Sequence, residues 1–170
     1  QKSYCLLIKS TENKYFIIDT GRAGYNGSKA QANSIIIKYL KDKGIHNIES
    51  LIITHFDNDH SGGAVEIMKN LKIKQVYINS FSDKSKISAK IYDTVKDKNI
   101  PTKIPDNNTI IYNENNFSLR AFLNSSETDN EKSIITLLSY KDFDMLFTGD
   151  AGVEAFNKLK KDIPHKVEVL

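Results

Sequence analysis

The chain has 170 residues, 39% apolar and 26% charged, with a formal net charge of +3. That size suits one compact domain with a sizeable core. One cysteine, Cys5, rules out an internal disulfide, and no apolar run approaches the ~20 residues of a membrane span, nor is a signal peptide visible. Nearly all the positive charge is lysine, spread along the chain. It reads as a solvated surface, with at most a weak attraction to phosphate-bearing polymers.

In chain order, residues 4–9 and 14–19 are short aliphatic and aromatic runs separated by Ser-Thr-Glu-Asn, which predicts a hairpin. Cys5 falls in the first run and is expected to be a packed thiol. Residues 22–29 are a Gly/Asn/Ser loop. Apolar residues at 35, 36, 39 and 40 predict a helix over 30–43, stopped by Gly44. Residues 49–54 hold an unbroken apolar run, Leu51-Ile52-Ile53, as in a strand buried on both faces. A helix over 63–70, a strand over 75–79 and a lysine-rich helix over 83–98 follow. Pro101 and Pro105 bracket a connection. Two more hairpins are expected, 109–112 with 117–123 and 133–140 with 142–148, flanking a polar loop at 124–132. A helix over 151–161 and a strand from 166 end the chain. Most strand partners look hairpin-like, which argues against a simple doubly wound sheet and for two mixed sheets with helices outside. Gln1 is not a start residue and the sequence stops inside an apolar alternation, so it reads as a single domain, 1–170, truncated at both ends and incomplete at its C-terminus.

The chemistry concentrates in residues 51–64, LIITHFDNDHSGGA. His55, Asp57, Asp59 and His60 follow a buried strand and precede Gly62-Gly63. A helix would scatter residues at this spacing, whereas a tight loop can converge them on one or two cations. Imidazole with carboxylate suits zinc, manganese or iron better than calcium. The glycines allow close backbone approach and start the next helix. Asp150, in LFTGDA, also follows an apolar strand and opens a helix. It is the best distant candidate for a bridging carboxylate, although an Asp at such a turn is commonly an N-cap. Asp19, in YFIIDTG, is expected to support the site by accepting backbone N–H groups or orienting a ligating histidine. His46 and His165 read as surface histidines.

T-H-F-D-N-D-H-S-G-G resembles the H-x-H-x-D-H signature of the metallo-β-lactamase superfamily, and YFIIDTG and LFTGDA match its other landmarks in order. Asp57 stands where most members have the second histidine, which is typical of the ComEC-like metallohydrolase branch. Asn130-Glu131-Lys132-Ser133 fits the Asn-x-x-Ser of that branch. The resemblance implies an α/β fold, a four-layer αβ/βα sandwich of two mixed sheets. It implies a first metal on His55, Asp57 and Asp150 and a second on Asp59, His60 and Asp150. Members usually add a histidine from the loop before the last hairpin. This chain has none between 61 and 164, and Asp129 is the nearest substitute, with Asn130 beside it in support. The branch also carries a His-His-Gly after the final strand and a Gly-Gln-Gly-Asp in its first strand. This sequence stops short of the former and keeps only Gln1 of the latter.

The activity implied is hydrolysis aided by one or two zinc or manganese ions, with Asp59 as the catalytic acid/base and DNA or another phosphodiester as substrate. The rival reading is a catalytically weak or inactive domain that binds nucleic acid or regulates. A di-iron oxidoreductase, as in some members, would be coloured and redox-active. Location is unknown from sequence: cytoplasmic for a free-standing domain, extracytoplasmic for one attached to a membrane protein.

Overall fold

The computed structural model describes residues 4–24, 31–123, 132–163 and 167–169. The chain divides into two compact units, Gln1–Lys103 and Ile104–Leu170, each with its own sheet and core.

The first unit opens with the expected hairpin, β1 (Leu6–Lys9) antiparallel to β2 (Tyr15–Ile18). Then it changes character. β3 (Asn47–Ile52), β4 (Lys72–Tyr77) and β5 (Thr102–Lys103) join β2 in parallel, giving the order β1-β2-β3-β4-β5. This is strand-helix alternation, as the helices expected between these strands imply, although most strand partners elsewhere are hairpins. The cause is in β3, whose Leu51 and Ile52, with Ile53 just beyond, are fully buried. A strand apolar on both faces needs cover on both, and crossover helices supply it. β5 occupies two residues of the segment read as a connection between prolines.

The helices are α1 (Gln31–Asp42), α2 (Asn58–Ser61), α3 (Ala64–Asn70) and α4 (Lys86–Asp97). On α1, Ile37 and Leu40 face the core, while Ile35 and Tyr39 are exposed. The buried stripe is thus rotated from the apolar positions that suggested the helix. Gly44 ends α1 at φ +69°, with the Ile45 N–H donating to the Leu40 carbonyl at 2.8 Å. α4 starts later than expected because Ser85 caps it, its hydroxyl accepting the Ser88 N–H at 3.1 Å.

The second unit is a meander, β6 (Thr109–Glu114), β7 (Phe117–Leu123), β8 (Ile134–Tyr140) and β9 (Phe143–Phe147). Each strand pairs antiparallel with the next, in the two expected hairpins. α5 (Val153–Leu159) then crosses over to β10 (Glu168–Val169), parallel to β9. Its core joins Phe122, Ile135, Leu137 and Leu146 to Ala155 and Leu159 of α5. Both sheets are therefore mixed. Among the described residues no helix is long and apolar enough to cross a membrane.

Candidate metal centre

The chain leaves β3 still bound to the sheet, the Ile53 N–H donating to the Tyr77 carbonyl at 2.9 Å. Thr54 and His55 follow, both buried. Asp57 then turns the backbone into α2, a four-residue helix inside what the sequence suggested was all loop. The Asp57 carbonyl accepts the N–H groups of His60 and Ser61 and the Ser61 hydroxyl. That single turn folds His60 back over His55. Their ring centroids are 4.2 Å apart, tilted by 47°.

Asp57 caps α2 with its backbone alone, and its carboxylate takes no part in the cap. Instead Asp57 Oδ2 lies 3.5 Å from His55 Nε2. That is long for a hydrogen bond. It matches two ligand atoms of one tetrahedral cation, which at bonds of ~2.1 Å stand about 3.4 Å apart.

Asp19 forms the floor. It follows β2 in the left-handed region, φ +56°, which Asp tolerates better than most residues. Its Oδ1 accepts the Thr54 N–H at 2.8 Å, and its Oδ2 accepts the Thr54 hydroxyl at 2.8 Å. Oδ2 also lies 2.6 Å from His60 Nδ1. A carboxylate facing an imidazole nitrogen at that distance accepts a charge-assisted hydrogen bond. The proton on His60 is therefore on Nδ1, and in the neutral ring the lone pair is on Nε2, the arrangement of a ligating histidine held by a carboxylate.

A second layer locks this turn. Thr20 donates to the His60 carbonyl from both its N–H (2.6 Å) and its hydroxyl (3.0 Å), and its hydroxyl oxygen accepts the Gly63 N–H at 3.2 Å. The Gly63 N–H also reaches the Gly21 carbonyl. A Cβ on Gly62 would overlap the Ala23 nitrogen and both oxygens of Asn58. Close approach, rather than a special φ, is what requires glycine here. Tyr4 stacks on His60, centroids 4.8 Å apart, and its N–H donates to the Asp59 carbonyl. Cys5, beside these groups, has its thiol pushed up to about 12 by burial and then by the charge of Asp19.

The donor set fits a divalent cation. The His55 and His60 imidazoles stand together above a buried, hydrogen-bonded cradle, with the Asp57 carboxylate beside His55, a nitrogen-oxygen set that suits zinc or manganese. Asp59 sits in the first turn of α2, half-buried. Asp150 lies in the second unit after β9, exposed. It is not the cap of α5, a position held by Gly152. Asp129, Asn130 and His165 lie outside the described residues. His46 is exposed. Sequence reasoning passed over Thr20, Thr54 and Tyr4. The first two flank the signalled residues directly, after Asp19 and before His55.

A family model for the metallo-beta-lactamase superfamily matches residues 1–167. Recombination protein 2 of Haemophilus influenzae is 42% identical over 64 residues, which cover 38% of this chain and 8% of that protein. ComE operon protein 3 of Bacillus subtilis is 41% identical over 44 residues, 26% of this chain and 6% of the relative. The match therefore spans less than a tenth of either relative. A metallo-beta-lactamase from Pontibacter korlensis has the same fold, with a TM-score of 0.57 at 15% identity over 98% of this chain and 78% of that one. A buried His-Asp cradle at the end of a parallel strand, in a chain so matched, identifies it as a member of the metallo-beta-lactamase superfamily.

Proposed function

We propose that this domain is a metal-dependent phosphodiesterase acting on DNA, using one or two zinc or manganese ions. The observation that carries the reading is the 3.5 Å approach of Asp57 Oδ2 to His55 Nε2, beside a His60 ring fixed by Asp19. His55, Asp57 and His60 would hold the cation, with Asp59 and, by the superfamily pattern, Asp150. When bound, the cation supplies Lewis acidity toward a water and a phosphoryl oxygen.

The chain's own groups do the rest. Asp59 orients the attacking water and accepts its proton. Asp19 keeps the His60 proton on Nδ1, away from the cation side. By the superfamily pattern Asp129 would replace the histidine that members supply as a further ligand, with Asn130 in support. DNA is favoured by the relatives' names, which concern recombination and the ComE operon, and the lysine surplus is compatible with it.

The test is metal analysis of the purified protein together with cleavage of linear and single-stranded DNA. Near-stoichiometric zinc or manganese is expected, with activity falling at least ~100-fold in Asp59→Ala and His60→Ala. Wild type that takes up no metal, or variants that cut as well as wild type, would overturn the reading. A second reading, a binding module without catalysis, is favoured by histidine count: only four in the chain, with none between 61 and 164. It predicts DNA binding that survives chelation, with no cleavage at all.

A further inference from the structure

We infer that Thr54 is a positioning residue that sets which nitrogen of His55 carries the proton. Three atoms decide it. The Thr54 hydroxyl lies 2.8 Å from Asp19 Oδ2 and 3.1 Å from His55 Nδ1. A hydroxyl has one hydrogen to give and can also accept. Pointing that hydrogen at His55 would leave two oxygen lone pairs, one on an anion, facing each other at 2.8 Å. Pointing it at Asp19 gives a charge-assisted bond at the shorter of the two distances. The Thr54 oxygen must then accept, and His55 must donate from Nδ1. Its lone pair is left on Nε2, the atom 3.5 Å from Asp57 Oδ2.

The two histidines are thus wired to one carboxylate by different routes. His60 reaches Asp19 Oδ2 directly, and His55 reaches it through the Thr54 hydroxyl. The Thr54 N–H on Oδ1 holds the carboxylate from the other side. All four residues are buried, so water does not compete for these bonds. Thr54 is required for its hydroxyl: valine would keep the shape and remove the relay, and serine would keep it. The consequence for metal affinity rests on the proposed function. The tautomer does not.

The experiment reads the metal-free protein first. Long-range proton–nitrogen correlation spectra of the chelated wild type at neutral pH should show His55 and His60 both protonated at Nδ1. Thr54→Ser should keep the pattern, and Thr54→Val should move the His55 proton toward Nε2 while leaving His60 unchanged. Wild-type His55 protonated at Nε2 would overturn the inference, even if the valine variant does not fold. So would a valine variant that folds and keeps His55 on Nδ1. Zinc titration follows, with affinity expected to drop roughly 10–100-fold in Thr54→Val and to recover in Thr54→Ser. If wild type binds no zinc, the metal reading fails while the spectra still judge Thr54.

Discussion

The first sheet has two ends, and they differ in how polar groups are held. At the carboxyl ends of β2 and β3, Asp19, Thr20, Thr54, His55 and His60 are buried and joined by hydrogen bonds of 2.6–3.2 Å. At the amino ends, a groove of about 770 Å³ is lined by Lys9, Lys14, Tyr39, Lys43, Glu49 and Lys74, among others. It is open and lined by lysines, yet these reach into water, with side chains 41% exposed at Lys14 and 55% at Lys74. Volume and charge mark the wrong end. A built site is recognised by the desolvation that its groups have undergone, and by the partners that offset it.

The largest effect that tests this contrast is Asp19→Ala. It strands the Thr54 N–H, the Thr54 hydroxyl and the His60 Nδ1–H in the interior, and places alanine at φ +56°. A loss of about 3–5 kcal/mol is expected, from unsatisfied buried donors and backbone strain. Asp19→Asn keeps the backbone preference and one acceptor and should lose less. Urea unfolding of the metal-free variants reads both. An Asp19→Ala protein within about 1 kcal/mol of wild type would mean that the cradle is no better built than the groove.

The carboxyl end was largely legible in the sequence, and for a physical reason. Leu51-Ile52-Ile53 announces a strand buried on both faces, and four ligand-type residues directly after such a strand have few other uses. Asp19 was legible because an acid between a buried strand and a Gly turn must find donors. Thr54 and Thr20 were not, since threonine at a strand end is ordinary β-sheet chemistry. Nor was α2, because four residues carry no period and Asp-Asn reads as loop. The strand-helix alternation from β2 to β4 could be read from the apolar run at 51–53 and the helices after it, whereas β5 was hidden by its length of two residues. The stripe on α1 shifted because Ile35 and Tyr39 stay exposed, which apolar identity alone does not reveal.

Two glycines sharpen the comparison. At the site end, Gly62→Ala forces a methyl onto the Ala23 nitrogen, the Asn58 carbonyl and the Asn58 Oδ1 that accepts the Ala23 N–H. At the groove end, Gly44→Ala meets open space and pays only for its φ of +69°. Expected losses are about 2–3 kcal/mol for the first, from overpacking, and about 1 kcal/mol for the second, from left-handed backbone. Thermal unfolding separates them. Zinc binding should weaken in the first and stay at the wild-type value in the second. Equal losses with equal zinc binding would remove the distinction between the two ends.

The smallest effect concerns Glu49, the one acid among the described residues that line the groove. It accepts a hydrogen bond from Lys74 at 2.6 Å and lies 3.9 Å from Lys14. Its own side chain is only 14% exposed, but both partners reach into solvent, so the pairs are screened. Glu49→Ala should cost below about 1 kcal/mol in low salt, and less again near 0.5 M salt, where the Debye length falls to a few ångströms. Metal content should not change. Removing this acid also makes the groove more positive, so any affinity of that end for DNA would rise in Glu49→Ala and fall steeply with salt. A large, salt-independent loss of stability would instead place Glu49 with Asp19, as a buried charge holding its surroundings together.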